Sequence, residues 1–323
     1  MNLNTPVLLL TFNRLEATQE MFQAICEAKP SKLYIASDGP RSNKLGEDKE
    51  VSNVRDYILN NISWPCTVNT LFQERNLGCR DAVVTAINWF FENEIEGIIL
   101  EDDCVPNKSF FLYVEDLLSH YRDDKRVMAI SGNNILGDSY KSQFSYTFSR
   151  YSLMWGWATW RRAWNLYDPN MTTWPKYRDT NWLYHFGNGS HTFRARWKWI
   201  FDQVHDGYLN TWDIQWIYTC WLQNGLAILP TKNLVRNIGF TSEATHTKNY
   251  NHVLSNLTQY ELKFPLKHPQ KMVIDYELDK TISKDWFRVN FFSLIRERVY
   301  SSNSLSIINN YRKALKNSKQ KSV

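Results

Sequence analysis

Three consecutive carboxylates, Glu101-Asp102-Asp103, follow the apolar run Gly97-Ile98-Ile99-Leu100. The run reads as the end of a buried strand, and the acids begin where that strand should leave its sheet. Neighbouring carboxylates repel, by about 1 kcal/mol in water and several times more at an effective dielectric near 20. Such a triplet therefore calls for a cation or for wide exposure. A hard divalent ion prefers oxygen and uses one or two protein carboxylates, with water and substrate phosphates completing its shell. The alternative is that the acids cap a turn completed by Pro106 and Asn107.

Other residues of chemical interest sit at comparable positions. Arg14 and Asp38 each follow a predicted strand, Pro6 to Thr11 and Lys32 to Ser37, with Asp38-Gly39-Pro40 also a strong turn signal. Arg80 lies at the start of a predicted helix after Asn76-Leu77-Gly78, where free backbone N–H groups and a cation can receive an anion. Arg236 falls in a predicted strand, Leu234 to Ile238. Asp213, in Thr211-Trp212-Asp213, opens a helix carrying Ile214, Ile217, Tyr218 and Trp221 at helical spacing, with Gly225 placed to end it. A carboxylate there serves either as a general base or as a partner of the helix dipole. Trp155-Gly156-Trp157 suits a pocket lined by indoles or a crowded core relieved by glycine.

The elements that must carry these residues follow from periodicity. Four strand-then-helix units run in succession from Pro6, with helices at Glu47 to Asn60 and Ser109 to Tyr121 and a strand near Thr67 to Gln73. That alternation implies a parallel sheet with right-handed crossovers. Neither GxGxxG nor GxxxxGK[ST] occurs after the first strand, so carboxylates and arginines must do any nucleotide binding. A strand from Arg126 to Ser131 follows, then an edge strand through Phe144, Tyr146 and Phe148, a helix from Thr192 to Gln203 within an aromatic insertion, and a strand near Leu226 to Leu229.

Composition bounds the rest. The chain has 323 residues, 43% apolar and 22% charged, enough for a large core in one or two domains. Five dispersed cysteines without a CxxC pair argue against a disulfide framework or zinc site and fit a reducing compartment. With no signal-like opening and no long apolar run, the expected location is cytoplasmic. The net charge of +5 is uneven: from Ser283 to Val323 nine Lys or Arg face two acids, so the rest is slightly acidic. This disfavours nucleic acid as a partner. It makes the C-terminal helix, with Phe287, Phe291, Leu294 and Ile295 near Arg288 and Arg298, a candidate contact for anionic membrane. Packing on the domain is the other reading, and His246 reads as a solvated loop histidine.

Pro6-Val7-Leu8-Leu9-Leu10-Thr11-Phe12-Asn13-Arg14, Ser37-Asp38-Gly39, Glu101-Asp102-Asp103 with Pro106 and Phe110-Phe111, Trp155-Gly156-Trp157 and Trp212-Asp213 occur in one order. Over residues 5 to 247 this resembles the GT-A glycosyltransferases, most closely the inverting N-acetylglucosaminyltransferase branch and bacterial nucleotide-diphospho-sugar transferases. The resemblance implies an α/β, Rossmann-like open and mostly parallel sheet flanked by helices, with a smaller mixed sheet and a C-terminal helical extension. It implies a catalytic domain over 1–250, nucleotide-binding in 1–135 and acceptor-side in 136–250, and an extension over 251–323.

The implied activity is hexosyl or N-acetylhexosaminyl transfer from a nucleotide-diphosphate sugar, with a UDP-sugar as donor, to a glycan, lipid-linked glycan or other hydroxyl acceptor. By the same resemblance Asp103 holds Mn²⁺ or Mg²⁺, Asp102 and Glu101 meet the ribose and sugar, and Asp38 meets the base beside Arg14. Asp213 is the general base, Arg236 reaches the phosphates, and Trp155 and Trp157 face the acceptor. Two features depart from the family pattern: Gly78-Cys79-Arg80 stands where the animal enzyme has a histidine near the nucleotide, and the stretch between Trp160 and Asn210 is longer. A nucleotidyltransferase and a non-catalytic sugar-binding module are the competing readings.

Overall fold

The computed structural model describes residues 1–137, 140–239 and 257–292. The chain divides into two compact units, one of residues 1–169 with 210–279, the other of 170–209 with residues from 280 onward.

The larger unit is α/β. Its first half alternates β1 (Val7–Thr11), α1 (Leu15–Ala28), β2 (Lys32–Ser37), α2 (Glu47–Asn60), β3 (Thr67–Phe72), α3 (Cys79–Asn93) and β4 (Glu96–Glu101). Then come β5 (Cys104–Pro106), α4 (Lys108–His120), β6 (Val127–Ser131), β7 (Tyr146–Ser149), β8 (Trp157–Trp160) and α5 (Arg161–Trp164). Every residue of β1 is buried, as expected of a parallel strand covered on both faces. On α1, Thr18, Met21, Phe22 and Ile25 share the buried face, and Lys29 ends the helix in the left-handed conformation. At the start of α4 the Asn107 side chain accepts from Phe110 N at 3.1 Å.

The smaller unit contains α6 (Trp174–Tyr177), α7 (Trp182–Phe186) and α8 (His191–His205). Asp202 ties it together, accepting from Trp174 Nε1 at 3.0 Å and Arg178 Nε at 2.6 Å. Phe287 packs on Trp197, with ring centroids 4.6 Å apart. The expected apolar face through Phe287 and Phe291 is broken here: Arg288 takes a positive φ of 55°, and Phe291 is 68% exposed. Leu294, Ile295 and Arg298 lie outside the described residues, as does His246. No helix among the described residues is long and apolar enough to cross a membrane.

The larger unit closes with α9 (Asp213–Leu222), β9 (Leu226–Pro230) and β10 (Val235–Asn237), then α10 (Tyr276–Thr281), which crosses into the smaller one. Its sheet has eight strands in the order β3-β2-β1-β4-β8-β6-β9-β7. The β1–β2, β2–β3, β1–β4 and β6–β9 pairs are parallel, whereas β8 opposes both its neighbours and β7 opposes β9. Six strands thus share one direction, and the sheet is mostly parallel. A second, small sheet pairs β5 with β10, and it is antiparallel. Asn224, not Gly225, adopts the left-handed conformation after α9, while Gly225 leaves room for the Met128 side chain, which a Cβ there would meet at 2.3 Å.

Candidate active site

In an open α/β sheet, ligands gather outside the carboxyl ends of the parallel strands. β4 delivers the acidic triplet there. Ile98, Ile99 and Leu100 are at most 1% exposed, each buried side chain contributing about 1.5–3 kcal/mol, and this anchors the acids that follow.

The cation nearest the triplet is Arg14, at the end of the turn after β1. Its Nη1 donates to Asp103 Oδ2 at 3.0 Å and its Nε to Asp102 Oδ2 at 3.3 Å, while Nη2 meets Asp102 Oδ1. Asp102 is nearly inaccessible, and Asp103 keeps 17% of its side-chain surface. Burial raises the pKa of Glu101, and the charges of Asp103 and Asp102 raise it further. Burial also raises Asp102, against the pull of Arg14. The triplet thus carries more negative charge than one guanidinium neutralises.

Asp213 belongs to the same field. It adds to the upward shift of Glu101, and four carboxylates, Glu101, Asp213, Asp103 and Asp38, act together on the Cys79 thiol. Burial, followed by those charges, pushes Cys79 up to about 12, so the thiol is protonated and inert at neutral pH. Cys79 opens α3, and its position marks where the ends of β2, β4 and α9 converge.

Asp213 Oδ1 accepts from its neighbour Ile214 N at 2.9 Å and from Thr211 Oγ1. Its turn is mounted from several sides. Gln215 Nε2 donates to Thr211 O at 2.6 Å, and Tyr167 OH donates to Trp212 O at 3.0 Å. Trp157 stacks on Trp212 at 5.7 Å and 23°, and Trp164 stacks on Tyr167 at 4.3 Å and 9°. The tryptophan wealth of this region is thus largely scaffold. Trp157 is 1% exposed with its face against Trp212, which leaves no ring face for a sugar. Trp155 is half-buried, just before the bend at Gly156 that leads into β8.

Asp38 binds its own surroundings. Oδ1 accepts from Gly39 N and Leu77 N, both at 2.8 Å, and Oδ2 from Asn76 Nδ2 at 2.8 Å and Gly78 N at 3.1 Å. Four bonds occupy about the full acceptor capacity of a carboxylate, so this residue fixes the loop leading into α3. Gly39 permits the crossing, since a Cβ there would strike the Arg75 backbone. Beside it the ends of β1 to β3 and α3 enclose a small apolar cleft lined by Leu10, Ala36, Leu71 and Val83, with Asp38 and Gln73 at its polar side. A larger open groove of about 550 Å³, between 140–148 and 269–275, is lined by none of these acids.

Two arginines point elsewhere. Arg236 pairs with Glu20 of α1 and is 44% exposed, and Arg80 pairs with Asp81 at 2.8 Å. Arg80 nevertheless bears electrostatically on Tyr167, as Asp213 does. The β5–β10 ribbon also reaches the triplet, with Ile238 N donating to Asp103 O at 2.8 Å. A Cβ at Gly239 would collide with the Asp103 carboxylate. The ribbon is seated through Val235: a Cβ on Gly132 or on Gly156 would meet its side chain at 2.6 or 2.8 Å. Tyr167 and Gly239 carry no signal of a site role in sequence, and Thr211 and Cys79 enter there only as neighbours of Asp213 and Arg80.

Among the described residues no three His, Cys, Asp or Glu side chains group as a metal cage. The donor set is one partly open carboxylate, Asp103, beside the buried Asp102 and the partly buried Glu101. This fits Mg²⁺ or Mn²⁺ held jointly with water and phosphate, and does not fit zinc or a calcium cage.

No family model matches the chain, and no curated protein matches it. Among solved structures it is similar to the mannosyltransferase PcManGT from Pyrobaculum calidifontis in complex with GDP-Man and Mn²⁺, at 13% identity and a TM-score of 0.34 over 50% of this chain. The chain spans 46% of that protein, less than half its length. It is also similar to HddC from Yersinia pseudotuberculosis, at 8% identity and a TM-score of 0.31, over 49% of this chain and 77% of the other. Both likenesses are partial and distant.

Proposed function

We propose that the protein is a metal-dependent glycosyltransferase that moves a hexosyl or N-acetylhexosaminyl group from a nucleotide-diphosphate sugar to a hydroxyl of a glycan or lipid-linked glycan. The observation that supports it is the acidic cluster at the rim of the sheet, where Asp102 and Asp103 pair with Arg14 and where Glu101, Asp103, Asp213 and Asp38 all bear electrostatically on Cys79. Such a concentration of carboxylates is costly unless a cationic cofactor or a proton-bearing substrate uses it.

In this reading the base lies at the ends of β1 to β3, and the Asp38-bound loop shapes one wall of its site. Glu101 faces the ribose and sugar, Asp103 holds the metal, and Arg14, anchored by the buried Asp102, supplies positive charge to the diphosphate. Bound Mn²⁺ or Mg²⁺ would stabilise the charge that develops on the leaving diphosphate. Asp213 takes the proton from the attacking hydroxyl as the new bond forms. A single in-line displacement of this kind inverts the anomeric carbon. Trp155 is the aromatic platform for the acceptor.

The test is a panel of nucleotide sugars, UDP-N-acetylglucosamine and GDP-mannose included, followed by thermal shift with Mn²⁺ and by release of nucleotide diphosphate. A donor should raise the melting temperature and be slowly hydrolysed, and chelation should abolish both effects. Asp213→Asn should keep the thermal shift and lose turnover. No donor bound or consumed with any metal would overturn the reading.

A further inference from the structure

We infer that Thr211 is a positioning residue for Asp213, fixing one carboxylate oxygen so that the other is presented to the proton of the attacking hydroxyl. The inference rests on the proposed role of Asp213 and extends it to a residue outside the acid set.

The two oxygens of Asp213 have different surroundings. Oδ1 accepts from the Thr211 hydroxyl and from Ile214 N, while Oδ2 has no hydrogen bond among the described residues. A carboxylate held by one oxygen cannot spin about its Cβ–Cγ bond without losing both contacts. Its open oxygen therefore keeps one direction, and a fixed orientation is what general-base catalysis requires of a short-range proton acceptor. Thr211 is itself immobilised: it is 9% exposed, and its carbonyl accepts from Gln215 Nε2 at 2.6 Å. Clamping Trp212 O by Tyr167 and the Trp212 ring by Trp157 holds the residue between them.

An ordinary helix start would look similar, because hydroxyls and carboxylates often satisfy free N–H groups there. The difference lies in which group the hydroxyl serves. Here it donates to the carboxylate, an acceptor-only group, and occupies the same oxygen that Ile214 N meets. No other side chain among the described residues donates a hydrogen bond to Asp213. Thr211 is thus the side chain that fixes the carboxylate directly.

The test compares Thr211→Val, which keeps the shape and loses the donor, with Thr211→Ser, which keeps the donor. In the full-length protein with Mn²⁺ and nucleotide sugar, donor hydrolysis should fall on the order of 10-fold in kcat for Thr211→Val with the donor KM unchanged, while Thr211→Ser should keep kcat within about 2-fold of the wild type. Thermal melts of both variants check that they fold. An unchanged kcat in a folded Thr211→Val overturns the inference, as does equal impairment of both variants. If Asp213→Asn keeps full turnover, the base assignment itself fails; if it is inactive while Thr211→Val is unaffected, only the role of Thr211 fails.

Discussion

Arg14 Nη1 stands 3.0 Å from Asp103 Oδ2, so in this structure the carboxylate proposed to hold a metal is held by a side-chain cation. The same guanidinium also neutralises Asp102, which is almost wholly buried. Removing it strands a buried charge, a loss of about 3–5 kcal/mol for a fully buried pair and less here because Arg14 is one-third exposed. Arg14→Met should therefore lower stability by roughly 2 kcal/mol. Millimolar Mn²⁺ should restore more of the melting temperature in this variant than it adds to the wild type. Equal responses of the two proteins to Mn²⁺ would show that the ion does not reach these acids.

Asp38 should prove to be a fastener of the loop into α3. Asp38→Ala deletes the acceptor for Leu77 N and Gly78 N, and each stranded donor costs about 1–3 kcal/mol. Hydrogen exchange at Leu77 and Gly78 should accelerate at least about 10-fold, and urea unfolding should shift to lower midpoint. Unchanged exchange at both amides would contradict the bonds described.

The pH dependence of stability should carry a signature of Asp279. Its carboxylate accepts from Ser149 Oγ at 2.5 Å and lies 3.4 Å from Arg150 Nε, yet burial outweighs both and pushes it up to about 6. In the unfolded chain an aspartate titrates near 4. Between these values the folded state holds a proton that the unfolded state has lost, so stability falls as pH rises from about 4 to about 6 and then levels. Relative to wild type, Asp279→Asn should gain on the order of 2 kcal/mol across that window. A difference that stays flat from pH 4 to 7, read from urea melts, would refute the shift.

The two indoles around Gly156 should separate by phenotype. Trp157→Ala opens a cavity in the stack with Trp212, Trp164 and Trp216 and should cost about 3–5 kcal/mol. Trp155→Ala should cost less than half as much and raise the acceptor KM. Thermal melts and acceptor saturation curves read the two effects. The reverse pattern would return Trp157 to the acceptor site.

The first half of the sheet was legible because its signals are local. β1, β2 and β4 are short buried runs closed by Phe12-Asn13, Asp38-Gly39-Pro40 and the acidic triplet, and α2 occupies Glu47–Asn60 as its charge pattern predicts. The insertion of β8 between β4 and β6 was not legible, since Trp157–Trp160 is buried throughout and lacks strand alternation. Its place depends on pairing with residues about 60 positions away, a choice made by tertiary packing. The three-residue strand β5 was likewise too short to announce itself. At the site the acids were visible as residue types after strand ends. Their partners were not: the donors to Asp38 come from residues 76–78, and the hydroxyl on Asp213 belongs to a threonine that composition does not distinguish.

Val235 acts as a peg in a socket floored by Gly132 and Gly156. One added methyl on either floor position would lift the ribbon and with it the backbone that crosses Asp103. Residues far apart in the chain are therefore bound to vary in concert, and this junction should tolerate less substitution than the exposed turns around it.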